Sequence, residues 1–216
     1  MPSGEAESTD SRDEIMAATY RALCRHGFAH LTMQDIADEM DKSRPLLHYH
    51  YDTKEELLEA FLDHIIGWIG DRLAESETEH PVERLAEFID RFVIPANDEH
   101  EQFALALLEL RLQAVHNDTF REKLTAHFEQ NVATVESILE DGVAAGFFAD
   151  VDTHAVGEAI YTAMVGARTY QMTLDAGDGT QRMANQLWVW CETTLFTPEA
   201  QAYLRKSRDR TNTDYP

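Results

Sequence analysis

The side chains best suited to chemistry lie together in one short stretch, residues 42–54. Three basic residues and two histidines stand there against a single carboxylate: Lys42, Arg44, Lys54, His48, His50 and Asp52. Residues 1–55 as a whole carry 11 acidic and 6 basic side chains, so the stretch is a local positive spot. Such a spot on an acidic chain is suited to binding phosphate groups.

A metal site is the competing interpretation of the two histidines. His48 and His50 are two residues apart, and on a helix this spacing directs their side chains about 200° apart. They cannot share an ion, and no cysteine lies near them. Cys24 and Cys191 are too distant in sequence to form a CxxC pair or a disulfide framework. The sequence therefore predicts no metal site and no cofactor.

The elements that must position this stretch are short helices. Thr32 with Asp35 predicts a capped first helix, and Ser43 predicts the cap of a second helix with Pro45 in its first turn. Residues 40–43 between them predict a tight turn. This order of helix, tight turn and helix is typical of a helix-turn-helix, whose second helix enters the major groove of DNA.

Residues 12–58 resemble the N-terminal domain of TetR-type transcriptional regulators. The shared features are an apolar first helix, Gly27-Phe28, Thr32 before Asp35-Ile36-Ala37, Ser43, the sequence HYHY, and Lys54-Glu55-Glu56-Leu57. The resemblance implies an all-α fold of about nine helices. It implies an N-terminal three-helix DNA-binding domain followed by a helical domain for ligand binding and dimerisation. It also implies a regulator, most often a repressor, that binds a palindromic double-stranded DNA operator as a homodimer.

The same resemblance implies roles for side chains on the reading helix. Arg44 and Tyr49 would contact base edges, since arginine to guanine is the commonest specific contact. Phosphate contacts, which position without specifying sequence, would come from Thr32, His48, His50 and Lys54. Pro45 and Leu46 would make apolar contacts in the groove, and Leu47 and Tyr51 would face the core.

Helical periodicity continues through the rest of the chain, with no competing strand alternation. We expect a disordered leader at residues 1–10 and the DNA-binding domain at 11–53. The ligand-binding and dimerisation domain is expected at 54–197, with a fraying tail at 198–216. No apolar run is long enough to span a membrane, and the N-terminus lacks the pattern of a signal peptide. A cytoplasmic protein is the resulting expectation.

Two sets of residues in the helical domain are candidates for further binding surfaces. Bulky apolar residues and one arginine would line the chamber of an unknown small-molecule effector: Trp68, Phe103, Leu107, Arg111, Phe128 and Met164. The last two long helices would form the dimer interface through Tyr161, Val165, Thr169, Leu187, Trp190 and Thr194. An internal core is the alternative for the tryptophan-rich last helix.

The overall composition excludes some classes of protein. The 216 residues include 40 acidic and 18 basic side chains, a net charge of −22, whereas a generic nucleic-acid coat or anionic-membrane binder needs a basic face. Many carboxylates and few lysines are typical of proteins from the salt-rich cytoplasm of a halophile, although ordinary cells also make acidic proteins. Catalytic motifs are missing, so we do not expect an enzyme. A helical protein-interaction module without DNA binding is the alternative function.

Overall fold

The computed structural model describes residues 4–40, 44–74, 76, 78–93, 98–174 and 177–213, with side chains outside the description at 4–10, 44–46, 69, 71–74, 98–104, 106 and 207–213. Ten α-helices and one π-helical turn occupy these ranges: α1 (Gly4–His26), α2 (Met33–Asp38), α3 (Arg44–His50), α4 (Lys54–Ala74), α5 (Pro81–Asp90), α6 (Asp98–Gln113), α7 (Asp118–Ala144), α8 (Thr153–Thr173), α9 (Gly179–Trp190), the π turn (Cys191–Leu195) and α10 (Pro198–Thr213). Apart from one isolated β-bridge, between Phe148 and Phe196, the described backbone has no strand pairing. The predicted all-α fold is confirmed.

The chain divides into two compact units. Unit 1 comprises Met1–Ile69 with Ala96–His127, and unit 2 comprises Gly70–Pro95 with Phe128–Pro216. The division does not follow the expected boundary between residues 53 and 54. Unit 1 contains the helix-turn-helix and also α6, a helix that the sequence assigns to the ligand-binding domain.

The core of unit 1 is shared between the first three helices and the helices α4 and α6. Ile36 of α2 and Leu47 of α3 are fully buried, in the same apolar cluster as Leu58 and Phe61 of α4 and Leu110 of α6. Burial of one such side chain contributes about 1.5–3 kcal/mol. Helices α1–α3 cannot enclose a core of this size alone, so α4 and α6 complete it.

Side-chain caps fix where α2 and α4 begin. The Thr32 hydroxyl accepts a hydrogen bond from the Asp35 backbone N–H (3.2 Å), and the Asp35 carboxylate accepts one from the Thr32 N–H (2.8 Å), which confirms the predicted capping box. Hydrogen bonding from Thr32 holds the pKa of Asp35 below its ordinary value. At α4 the Thr53 hydroxyl accepts from the Glu56 N–H (3.1 Å), while the Glu56 carboxylate accepts from the Asp52 N–H (3.0 Å).

The sequence predicts a disordered leader at residues 1–10, whereas the backbone is helical from Gly4, where α1 begins. Glu5, Ala6 and Glu7 explain the early start, since these residues favour helix and carboxylates stabilise its N-terminal end.

The sequence predicts a fraying tail at 198–216, whereas the structure has a helix, α10, over Pro198–Thr213. Pro198 stands at the first helical position, where its missing N–H has no cost. The Tyr203 ring stacks on His80 with centroids 3.6 Å apart, and its hydroxyl donates to Glu83. These contacts fasten the helix to the start of α5.

Unit 2 is held by close approaches between helices and between turns. A Cβ atom at Gly157 of α8 would lie only 3.3 Å from the backbone nitrogen of Glu136 on α7, so glycine suits this close approach of the two helices. The Phe148 and Phe196 rings stack with centroids 5.5 Å apart and join the turn before α8 to the turn before α10. Burial raises the pKa of the Cys191 thiol to about 12, which makes it an unreactive core group.

A buried histidine in unit 1 makes stability depend on pH. His127 is 4% exposed, and burial lowers the pKa of its imidazole to about 4, with a further contribution from the positive charge of Arg111. The unfolded chain therefore binds more protons than the folded chain between that value and the ordinary 6.5. The stability that this difference provides is complete above pH 6.5 and is lost as the pH falls through 4.

Replacing His127 by glutamine should remove this dependence. Between pH 7 and pH 4 we expect wild type to lose up to about 3 kcal/mol more unfolding free energy than His127→Gln. Urea denaturation at three pH values measures the difference, with the exposed His64→Gln as the control. Parallel pH profiles for wild type and His127→Gln would show that the folded protein protonates His127 at little cost.

Candidate nucleic-acid interface

Helix α3 has one anchored face and one free face. Leu47 is fully buried and Tyr51, just after the helix, is 9% exposed, as the sequence predicts. Burial also raises the pKa of the Tyr51 hydroxyl. On the other face His48 is exposed and Tyr49 is 83% exposed, with its ring edge-on to His50 at 5.3 Å between centroids. The helix therefore presents an aromatic, hydrogen-bonding edge to solvent.

The first turn of α3 holds the residues with the most specific predicted roles. The backbone of Arg44, Pro45 and Leu46 is helical, but their side chains lie outside the described residues, as does all of Lys42. Their assigned contacts with bases and with the groove stay predictions. The helical position of Arg44 agrees with the placement that base reading requires.

One glutamate at the end of α2 pairs with two arginines of α1. Glu39, with a side chain only 10% exposed, pairs with both Arg21 and Arg25 of α1. Arg21 also donates to the Glu39 carbonyl oxygen at 2.7 Å. These bonds tie α1 to the end of α2.

Two of the predicted phosphate contacts have structural partners within the chain. Thr32 forms the capping box of α2, and the Lys54 ammonium donates to the Leu31 carbonyl oxygen (3.1 Å) and lies 5.4 Å from the centre of the Phe28 ring. An ammonium has three donors, so this bond leaves others for a phosphate. The phosphate roles of Thr32, His48, His50 and Lys54 stay predictions.

The candidate effector residues are divided between the two units. Trp68, Leu107 and Arg111 belong to unit 1, whereas Phe128 and Met164 belong to unit 2. Met164 is fully buried, and Trp68 is 49% exposed. The side chain of Phe103 lies outside the described residues.

Unit 2 itself contains two surface clefts. One of about 540 Å³ lies between α8 and α9, beside Tyr170 and Leu174, and one of about 460 Å³ lies between α5 and α9, beside Asp90 and Trp188. Burial raises the pKa of Asp90. Neither cleft is lined by a candidate effector residue. In the described part of the chain, no group of three His, Cys, Asp or Glu side chains is arranged to hold a metal ion.

The candidate dimer residues have different surroundings. Tyr161 is 2% exposed and packs against the rings of Phe92 and Phe128, with centroids 5.7 and 5.4 Å away, so it belongs to the core of unit 2 rather than to a surface that a partner reaches. The other five are partly or fully exposed: Val165, Thr169, Leu187, Trp190 and Thr194.

Three large apolar residues are exposed that the sequence analysis did not single out. They lie on α8, at its C-terminal end and on α9. Tyr170 is 62% exposed, Leu174 is 60% exposed and Val189 is 52% exposed. Tyr170 and Leu174 are four residues apart, a helical spacing that was available in the sequence as a signal. The described helices include none that is both long and apolar enough to cross a bilayer.

Two family models match the chain. The model of bacterial regulatory proteins of the tetR family matches residues 15–61, and the model of the BetI-type transcriptional repressor C-terminal domain matches residues 81–194. The chain belongs to the TetR family of transcriptional regulators. The first match covers α2, α3 and the start of α4, so the exposed edge of α3 lies in the segment that defines the family's DNA-binding domain.

Solved structures share this fold over nearly their whole length. A TetR transcription regulator from Haloarcula marismortui is 35% identical, with 87% of this chain and 99% of that chain covered and a TM-score of 0.80. A regulator from Saccharomonospora viridis, solved in complex with choline, is 19% identical, with 88% and 99% covered and a TM-score of 0.76.

Curated regulators agree with this assignment. The repressor KstR2 of Mycolicibacterium smegmatis is 27% identical over 175 residues, which is 79% of this chain and 84% of that protein. Two regulators from Pseudomonas putida match over 79 residues, so the chain spans only 38% of their length.

Tyr49 is the described side chain most exposed for base contact, and its replacement tests the interface. We expect Tyr49→Ala to weaken operator binding by about 1–3 kcal/mol, without lowering thermal stability, because an exposed ring contributes little to the core. Tyr49→Phe separates the ring from the hydroxyl, and Leu112→Ala, at a residue 59% exposed on α6, is the matched control. Fluorescence anisotropy with an operator duplex measures the effect. If Tyr49→Ala binds the operator with wild-type affinity, Tyr49 is not part of the DNA interface.

Proposed function

We propose that this protein is a ligand-responsive repressor that binds a palindromic operator as a homodimer. The observation that carries the proposal is the exposed edge of α3, anchored by Leu47 and Tyr51, inside the segment matched by the tetR family model. The name of the C-terminal family model and the similarity to the repressor KstR2 support repression rather than activation.

Homodimerisation is proposed to occur through α8 and α9. Tyr170, Leu174 and Val189 are large apolar residues that unit 2 exposes, and exposed apolar surface often marks an interaction site. The partly exposed candidates of the sequence belong to the same helices or directly follow them: Val165, Thr169, Leu187, Trp190 and Thr194. In a dimer, the two DNA-binding domains would contact half-sites about one helical turn of DNA apart. The dimer would therefore bind more tightly than one domain, whose own contacts are modest.

Regulation is proposed to follow from an effector that prefers the form unable to bind DNA. A preference of about 10⁴-fold would shift a population from 99:1 to 1:99. The effector residues proposed from the sequence remain Trp68, Phe103, Leu107, Arg111, Phe128 and Met164. An effector with equal affinity for both forms would leave operator binding unchanged.

Choline or another quaternary ammonium compound is the first effector that we propose to test. The choline complex of the Saccharomonospora viridis regulator supports this choice. Unit 2 also contains the aromatic group Phe92, Phe128 and Tyr161, and aromatic faces attract quaternary ammonium groups. Arg111 among the candidate residues favours an anionic ligand instead, so a carboxylate series is the comparison.

Choline should lower the affinity of the protein for its operator. We expect about a tenfold loss, a typical coupling between two sites, because the ligand would stabilise the form unable to bind DNA. Anisotropy titrations with choline, with potassium acetate and with potassium chloride at equal ionic strength measure the effect. An equal response to all three solutions would exclude choline as the effector.

The acidic composition supports a cytoplasm rich in salt as the working environment. A net charge of −22 repels the DNA duplex, and high salt weakens the counterion-release contribution to binding. Similarity to a regulator from Haloarcula marismortui is consistent with this environment. Specific contacts by the reading helix would then carry more of the affinity than nonspecific attraction does.

Footprinting on DNA upstream of the protein's own gene, in molar potassium chloride with scrambled competitor, tests the function. We expect protection of a palindrome, and Arg44→Ala should lose about 1–3 kcal/mol of operator binding. A loss of equal size on every sequence would instead make Arg44 a phosphate contact. If random-sequence selection also yields no site, the interaction-module alternative is correct.

A further inference from the structure

The turn between α1 and α2 is held by an acceptor that is distant in the sequence. The backbone N–H of Phe28 donates to the Glu109 carboxylate of α6 at 2.5 Å, across 81 residues. A backbone donor just after a helix commonly returns to a carbonyl of that helix. Gly27 does so, donating to the Leu23 carbonyl oxygen at 2.9 Å, whereas Phe28 uses α6.

Gly27 gives the turn its direction beside this contact. It has a φ of +69°, a left-handed conformation that glycine adopts without strain. The Glu109 carboxylate lies against it, since a Cβ atom at this position would be in van der Waals contact, 3.4 Å from a carboxylate oxygen. The glycine thus ends α1 and directs the Phe28 N–H toward α6. Gly27, Phe28 and Glu109 therefore act together to hold the turn between α1 and α2.

Charge alone does not explain the position of Glu109. The C-terminal end of a helix carries partial negative charge, so a carboxylate beside the end of α1 is placed unfavourably for the helix dipole. The hydrogen bond to the Phe28 N–H offsets this and fixes direction, because a carboxylate–amide bond requires near-linear geometry. The bond therefore has the character of a positioning contact.

A second side chain holds the same turn from α4. The Lys54 ammonium donates to the Leu31 carbonyl oxygen and lies over the Phe28 ring. Leu31 precedes the N-cap of α2, and α2 leads directly to the reading helix α3. The turn thus has one attachment to α6 and one to α4, with Phe28 contacted by both.

We propose that Glu109 is a positioning residue for operator recognition. It fixes the turn before α2 to α6, so that a displacement of α6 is transmitted to the helix-turn-helix. This inference rests on the proposed function, since it assigns to α6 the path by which the ligand-binding domain controls the reading helix. The relevant quantity is preference for the operator over other DNA, rather than fold stability.

Three substitutions separate the properties of Glu109. Glu109→Gln keeps the reach and an acceptor oxygen but removes the charge. Glu109→Asp keeps the charge and shortens the reach, and Glu109→Ala removes both. Glu122→Gln, at an exposed glutamate of α7 in the same unit, is the matched control.

Three measurements are made on each full-length variant: amide hydrogen exchange at Phe28, melting temperature, and affinity for the selected operator and for a scrambled duplex. We expect Glu109→Ala and Glu109→Asp to lose protection at Phe28 and to lose operator preference about tenfold, the size expected when one charge-assisted hydrogen bond is removed. Glu109→Gln should keep protection and most of the preference, and Glu122→Gln should match wild type. Affinity for the scrambled duplex should stay unchanged throughout.

Other outcomes overturn the proposal in distinguishable ways. Unchanged operator preference in Glu109→Asp and Glu109→Ala, with wild type still preferring the operator, rejects the positioning role and leaves the proposed function intact. A fall in both affinities in step with melting temperature assigns Glu109 to stability alone. If wild type itself shows no operator preference, the proposed function fails and this inference fails with it.

Discussion

The burial of Leu47 and Tyr51 is the constraint on which recognition by this protein depends. Helix α3 spans only Arg44–His50, too short to be stable alone. Its orientation comes from these two side chains, which insert into a core that α4 and α6 complete. Because Leu47 and Tyr51 anchor one face of α3, the opposite face, which carries Tyr49, points toward solvent in a defined direction. The reading surface is therefore a consequence of core packing.

The distribution of charge follows from the same small domain. Glu39 pairs with two arginines of α1, which both ties α1 to α2 and reduces the positive charge near the interface. Of the four other basic residues in the first 55 positions, three lie in the segment 42–54, where only one carboxylate accompanies them. An acidic body weakens nonspecific attraction to DNA. Discrimination between sequences then depends more on contacts at base edges than on a general basic face.

Local chemistry made much of this structure predictable from the sequence. The capping box of Thr32 and Asp35 needs only residues three apart, and the burial of Leu47 and Tyr51 agrees with their spacing of four residues. The burial of Tyr161 was harder to predict, because an aromatic residue on a helix of small residues suits a dimer interface as well as a core. The rings of Phe92 and Phe128, distant in sequence, decide that it is buried. Helix α10 was missed for the same reason, since its partners His80 and Glu83 lie far upstream.

The contact between Glu109 and Phe28 could not be predicted from the sequence, because it joins residues that only tertiary packing brings together. Nothing local distinguishes Glu109 from the chain's many other carboxylates, and Gly27-Phe28 alone predicts only the end of a helix. Packing of α6 against the helices of the DNA-binding domain brings the two together within unit 1. A shift of α6 must therefore break that hydrogen bond or move the turn before α2. The proposed route from effector to operator thus passes through a partly buried hydrogen bond inside unit 1.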